Sequence, residues 1–288
     1  MSNRQKVFDC FTFYDELDLL EIRLNVLNDV VDYFVLSEST RTFTGKPKSL
    51  NFENNKARFK NFAHKIRHVI VDEAEFKPEI NAWQRESDQR NSVLRGMYDC
   101  KDDDYIIISD VDELVNPDAI KATLNENSNA ISAFIQPCFY YFLNCRSTEV
   151  ISMAKMAKFK KIRFPQQLRA YPKVSSFNSK KFVKMFSRWR WIVRKRLWPL
   201  VMQENGGWHF TYMQSPENIS KKIMAFSHTE FDSIEFTSVN SIQSRIKGVK
   251  DPFDRDYELE IIDIDETFPD YVYTNQDKYS HLIYRKKS

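Results

Sequence analysis

No stretch of this chain approaches the roughly 18 to 20 uninterrupted apolar residues that a membrane span requires. Residues Met1 to Lys6 lead straight into strand-like sequence without the apolar core of a signal peptide, so a soluble, cytoplasmic protein is expected. The four cysteines, Cys10, Cys100, Cys138 and Cys145, lack the CxxC spacing of a zinc or redox site and read as thiols of a reducing compartment. A Cys138–Cys145 disulfide stays open. Glycine is scarce, with five in 288 residues, while phenylalanine and tyrosine number 23 and 13. That balance argues against a low-complexity or disordered chain. Acidic residues are missing altogether between Glu149 and Glu204, a span that carries fifteen lysines and arginines. Because the whole chain is only +3, the remainder is net negative, and such segregation calls for an anionic partner or a surface role.

What is present alternates between strand and helix patterns. Residues 7–13, 30–36, 68–71 and 105–108 read as strands, and 17–27, 54–62 and 81–98 as helices between them. This order predicts an α/β fold with a mostly parallel, Rossmann-like central sheet flanked by helices. Residues 130–142 read as a strand or a pair, 215–226 as a helix, and 251–288 as a mixed tail. No linker or repeat divides the chain, so one domain over 1–288 is expected. It would have two halves, 1–125 and 126–288, the second including the basic stretch 150–203.

The sharpest local feature is Tyr105 to Glu113, an apolar run that stops at Asp110, Asp112 and Glu113. Open α/β sheets bind ligands at the carboxyl ends of their strands. Two aspartates two residues apart can face one side there, and hard oxygen ligands suit Mn²⁺ or Mg²⁺. An acidic, solvated turn is the plain alternative.

Several segments resemble glycosyltransferase family 17, the β-1,4-mannosyl-glycoprotein 4-β-N-acetylglucosaminyltransferases. They are Asp9 to Phe13 with Glu16 to Leu24, Val35 to Pro47, Gln89-Arg90, Ile108 to Glu113, and Gly207 to Phe210. The resemblance implies a GT-A type fold, a UDP-N-acetylglucosamine donor, a divalent metal and inversion at the anomeric carbon. It also implies a glycan, glycolipid or glycoprotein acceptor, with 1–125 as the nucleotide-binding half and 126–288 as the acceptor half.

In that setting Asp110 and Asp112 are expected to hold the metal, with Asp112 the direct ligand and Asp110 also reaching the donor. Glu113 either joins them or anchors the loop. His209, after two glycines, is expected as a third ligand, against the alternative of a core histidine. Glu38, Arg41, Thr44 and Lys46 follow the second strand and are expected to contact the donor, as is Arg90, which could instead pair with Glu86 four residues earlier. Glu230 is the candidate base that takes the acceptor proton, with Asp232 and Glu204 as rivals.

The aromatic-interleaved basic stretch suits a peripheral anionic membrane contact or an anionic acceptor, and nucleic acid less well for want of a recognised motif. A solvated basic face is its plain alternative. Two further readings of the whole chain stand beside transfer. One is a non-catalytic module that binds a nucleotide sugar or glycan, and the other is a membrane or nucleic-acid adaptor built on the basic stretch.

Overall fold

The computed structural model describes residues 4–72, 74, 80–171 and 199–285. At its centre lies β1 (Val7–Phe13), all seven residues of which are buried. A strand covered on both faces needs a near-continuous apolar run, which this one has apart from Asp9 and Thr12. Parallel partners flank it: β2 (Tyr33–Ser39) on one side and β4 (Tyr105–Asp110) on the other, with β3 (Ile66–Val71) beyond β2. The sheet continues from β4 into β9 (Lys155–Lys158), β6 (Ile131–Phe134) and β10 (Leu200–Gln203), giving the seven-stranded order β10-β6-β9-β4-β1-β2-β3. Strand β9 runs antiparallel to both of its neighbours.

A second, five-stranded sheet has the order β12-β8-β7-β11-β5. It consists of β5 (Glu113–Val115), β7 (Gln136–Tyr140), β8 (Cys145–Ile151), β11 (Gly207–Thr211) and β12 (Leu259–Ile261). Only its β7–β11 pairing is parallel. The fold is therefore α/β with mixed sheets: four of the six pairings in the central sheet are parallel, as expected from sequence, and the second, mainly antiparallel sheet is the feature not expected. The span 130–142 is the reason: it divides at Ile135 and sends β6 and β7 into different sheets. Residue Gly206 crosses that division so closely that a Cβ there would lie 2.5 Å from the Ile135 nitrogen.

The helices differ from expectation mainly at their ends. Helix α1 (Leu17–Leu27) packs its Leu20, Leu24 and Leu27 into the core. The helix expected over 54–62 is a short α2 (Asn51–Asn55) followed by a 3₁₀ turn, and the one over 81–98 is α3 (Ala82–Asn91) followed by another. Helix α3 starts at a reciprocal cap between Asn81 and Gln84. Helices α4 (Pro117–Glu126), α5 (Pro165–Arg169) and α6 (Pro216–Ala225) each have proline in the first turn, where its missing N–H costs nothing. No helix among the described residues is long and apolar enough to cross a membrane. All four cysteines are free thiols, so Cys138 and Cys145 are not bridged.

Candidate active site

The carboxyl ends of β1 and β4 open into a cavity of about 540 Å³. Asp110 is the last residue of β4 and stands in register with Thr12 of β1. The Thr12 hydroxyl donates to Asp110 Oδ1 at 3.0 Å, and Arg90 Nη2 donates to the same oxygen at 3.0 Å. Arg169 Nη2 reaches Asp110 Oδ2 at 2.6 Å, and its Nη1 pairs with Glu113. Burial by itself would raise the Asp110 carboxyl, but Arg169 and then Arg90 hold it well below the usual carboxylate range. Glu113 in turn accepts the Asp110 backbone N–H at 3.1 Å, which is the loop-anchoring role.

Beneath this loop lies a wholly buried ion pair. Arg23 of α1 donates from Nε to Asp9 Oδ2 at 2.7 Å, and from Nη1 to the carbonyls of Asp110, Val111 and Glu113 at 3.0, 3.2 and 2.9 Å. The one acidic interruption in the apolar β1 thus orients an arginine whose other hydrogen bonds hold the turn carrying the aspartates.

Asp112 meets different partners. Its Oδ2 accepts from Lys222 Nζ of α6 at 3.1 Å, and Lys222 lies 2.7 Å from Glu16 Oε1. The Lys222 side chain is 1% exposed. Burial would lower its pKa, yet Glu16 and then Asp112 raise it, so the ammonium stays charged. Asp112 itself is pushed upward by burial, with Lys222 and His209 opposing, whereas Glu16 is lowered against its burial by Lys222. Glu16 is therefore the ammonium's main counterion.

His209 sits on β11 opposite Glu113 of β5 and beside Cys138 of β7. Its Nδ1 lies 3.3 Å from Cys138 Sγ, and its Nε2 lies 3.7 Å from Asp112 Oδ1. The preceding glycine makes this approach feasible. Gly207 has φ +133°, and a Cβ on it would fall 2.0 Å from the Leu114 carbonyl oxygen.

The residues named from sequence are thus distributed unevenly. Asp110, Asp112, Arg41, Arg90 and His209 line the cavity. Arg90 pairs with Glu86 at 2.8 Å as well as with Asp110, and its Nε has no hydrogen-bond partner among the described residues. Glu38 is fully buried away from the cavity lining, holding Lys48, the Phe52 N–H and His68. Lys46 is exposed, and Lys48 takes the lining position instead. The Thr44 hydroxyl donates to the Met224 carbonyl and so ties its loop to the end of α6. Glu230 is exposed and bonded to His228 at 2.7 Å, and Glu204 and Asp232 are exposed as well, so none of the three is among the lining residues.

For a divalent metal, Asp112 and His209 offer facing oxygen and nitrogen donors. Asp110 differs from them, since each of its oxygens accepts from a guanidinium group. No cluster of three or more His, Cys, Asp or Glu side chains able to hold a metal occurs among the described residues.

Several cavity residues escaped the sequence reading. Lys222 and Glu149 gave no local signal, since each looks like an ordinary helix or strand charge, and Glu16 stood out only as the start of a segment of resemblance. Arg169 was counted only as part of the basic stretch. That stretch is otherwise largely outside the described residues, including Trp189, Trp191 and Trp198. Of its described members, Lys155 and Lys158 are buried rather than surface charges.

Comparison with known proteins bears on the first half of the chain. The sequence profile of Glycosyltransferase family 17 matches residues 1–137. The β-1,4-mannosyl-glycoprotein 4-β-N-acetylglucosaminyltransferases of Rattus norvegicus and Homo sapiens are each 29% identical over 122 residues, covering 40% of this chain. The chain spans 23% of the length of these relatives. Among solved structures, the inositol-1-phosphate CTP transferase from T. maritima aligns over 70% of this chain and 85% of its own, with 12% identity and a TM-score of 0.34.

Proposed function

We propose, for a chain whose first 137 residues match glycosyltransferase family 17, that it moves N-acetylglucosamine from UDP-N-acetylglucosamine to a glycan hydroxyl, using a GT-A type fold. The observation that carries this reading is the Asp110-Val111-Asp112 turn at the end of β4, opening into a cavity that Arg41, Lys48, Arg90, Arg169 and Lys222 also line. A diphosphate needs several fixed donors to neutralise it as the sugar departs, and cations held in place by buried partners supply them without reorganisation. Arg90 and Lys48, both on the cavity lining, are the donor-phosphate contacts in this reading.

Asp112 and His209 would hold Mn²⁺ or Mg²⁺, which when bound supplies Lewis-acid stabilisation of charge on the leaving diphosphate. Asp110 instead aligns Arg90 and Arg169. Inversion needs one carboxylate at the acceptor hydroxyl to take its proton. Glu149 lines the cavity and is bonded to the Tyr140 hydroxyl and Arg255. It fits that role better than Glu230, which does not line the cavity.

The test is a donor panel. The purified protein with Mn²⁺ is offered individual nucleotide sugars and a mixed glycan acceptor, and product and free nucleotide are quantified. UDP-N-acetylglucosamine should give both. Binding of that donor with no product would instead favour a non-catalytic nucleotide-sugar module.

A further inference from the structure

The cavity lining has two chemically distinct sectors. One is ionic, as described. The other is a run of aromatic rings, each adjoining the next: Trp83, His228, Phe231, Phe253, Tyr212 and Tyr140. Trp83 meets His228 edge-on at 4.6 Å and 79°, and His228 lies 6.2 Å from Phe231. Phe231 stacks on Phe253 at 4.1 Å, and Tyr212 adjoins Phe253 at 5.9 Å and Tyr140 at 6.4 Å. Tyr140 and Tyr212 are buried, whereas Trp83 is 51% exposed. Lys222 marks the boundary between sectors, its ammonium 5.6 Å from the Tyr212 ring centre.

Trp83 leaves about half of its surface open at the cavity wall. Its placement follows from helix geometry. Trp83, Glu86 and Arg90 are three and four residues apart on α3, so one face of the helix carries the ring, a carboxylate and a donor toward the same cavity. Glu230 adds to this, since its bond to His228 Nδ1 holds the imidazole beside the indole.

We infer that this sector is an acceptor subsite in which a pyranose ring packs its C–H face on Trp83, with its hydroxyls directed to neighbouring polar groups. A pyranose is apolar on its ring face and polar around its rim, and the negative face of an indole attracts the partly positive C–H groups. Glu86, Glu149 and Arg255 supply rim partners within the same cavity. The geometry disfavours a nucleobase here. Phe231 and Phe253 stack directly on each other at 4.1 Å, and Trp83 crosses His228 at 79°, so neither pair offers a planar heterocycle two parallel walls. The inference rests on the transferase reading for the word acceptor, but the sugar contact can be tested without turnover.

The experiment measures binding of β-1,4-mannobiose, cellobiose and chitobiose to the whole protein by calorimetry, alongside UDP, for wild type, Trp83→Ala and Trp83→Phe. At least one disaccharide should bind, and Trp83→Ala should raise its Kd about 3- to 10-fold while Trp83→Phe stays within about threefold. UDP affinity should be unchanged in both variants. Unchanged sugar binding in Trp83→Ala, no binding of any disaccharide by wild type, or a loss confined to UDP would overturn the inference. Sugar binding that depends on Trp83 in a protein that transfers from no donor would uphold the subsite and remove the transferase reading.

Discussion

Arg169 Nη2 lies 2.6 Å from Asp110 Oδ2, joining the acid-free basic stretch to the first aspartate of the acidic turn. The same guanidinium also pairs with Glu113, so one side chain fixes two carboxylates of the loop. Removing a partner from such a buried cluster leaves charge uncompensated, which costs about 3–5 kcal/mol. Arg169→Ala should therefore lose stability on that order in chemical denaturation. Arg169→Lys should recover part of it, because a single ammonium cannot serve both carboxylates in a fork.

The metal assignment separates the two aspartates. In calorimetric titration with Mn²⁺ in the presence of UDP, Asp112→Ala and His209→Ala should each weaken metal binding by at least about tenfold, or 1.4 kcal/mol. Asp110→Asn should weaken it less. An equal loss from Asp110→Asn would restore the three-ligand site.

The base assignment predicts a split between two glutamates. Glu149→Gln should lower kcat about 10²- to 10⁴-fold with little change in donor KM. Glu230→Gln, whose carboxylate faces His228 outside the lining, should keep kcat near that of wild type. The reverse pattern in steady-state kinetics would return Glu230 to the role.

Asp15 provides a pH prediction. Burial, and then the neighbouring Glu16, push its carboxyl up from 3.8 to about 6. A folded acid whose pKa is raised holds its proton longer than the unfolded chain does, so its contribution makes the fold less stable as pH rises from about 4 to 6. Asp15→Asn removes that titration and keeps an acceptor for Gln214, which now donates at 2.8 Å. Compared with wild type, the variant should gain about 1–2 kcal/mol by about pH 7 and roughly nothing at about pH 4, read from denaturation midpoints.

Gly207→Ala tests the packing of β11 against β5. The new methyl would meet the Leu114 carbonyl in a backbone conformation that side chains rarely adopt. A loss above about 2 kcal/mol is expected, with His209 displaced from Asp112.

The sequence was most readable where a structural device is local. Strands β1, β2 and β4 declare themselves through continuous apolar runs, and Asp110 and Asp112 through their position at the end of one. The second sheet was not readable in this way, because its strands pair across long separations, such as Cys145–Ile151 with Leu259–Ile261. Nor was the distinction between Asp110 and Asp112, which depends on Arg169 and Lys222 arriving from 59 and 110 residues downstream. Glu38 illustrates the opposite error. It belongs to a motif with family resemblance, yet its carboxylate is spent on the Phe52 backbone and His68, and motif spacing does not tell a ligand contact from an internal brace.

The placement of Lys222 has a consequence for dissecting the molecule. A fragment cut after residue 137 would keep Glu16 and Asp112 but forfeit the cation between them. The two acids would then face each other with no ammonium between them, at a sheet edge stripped of its cover. Such a truncation would carry the recognisable sequence without a stable place to do chemistry, so the half that is easiest to identify is not the half that could be studied alone.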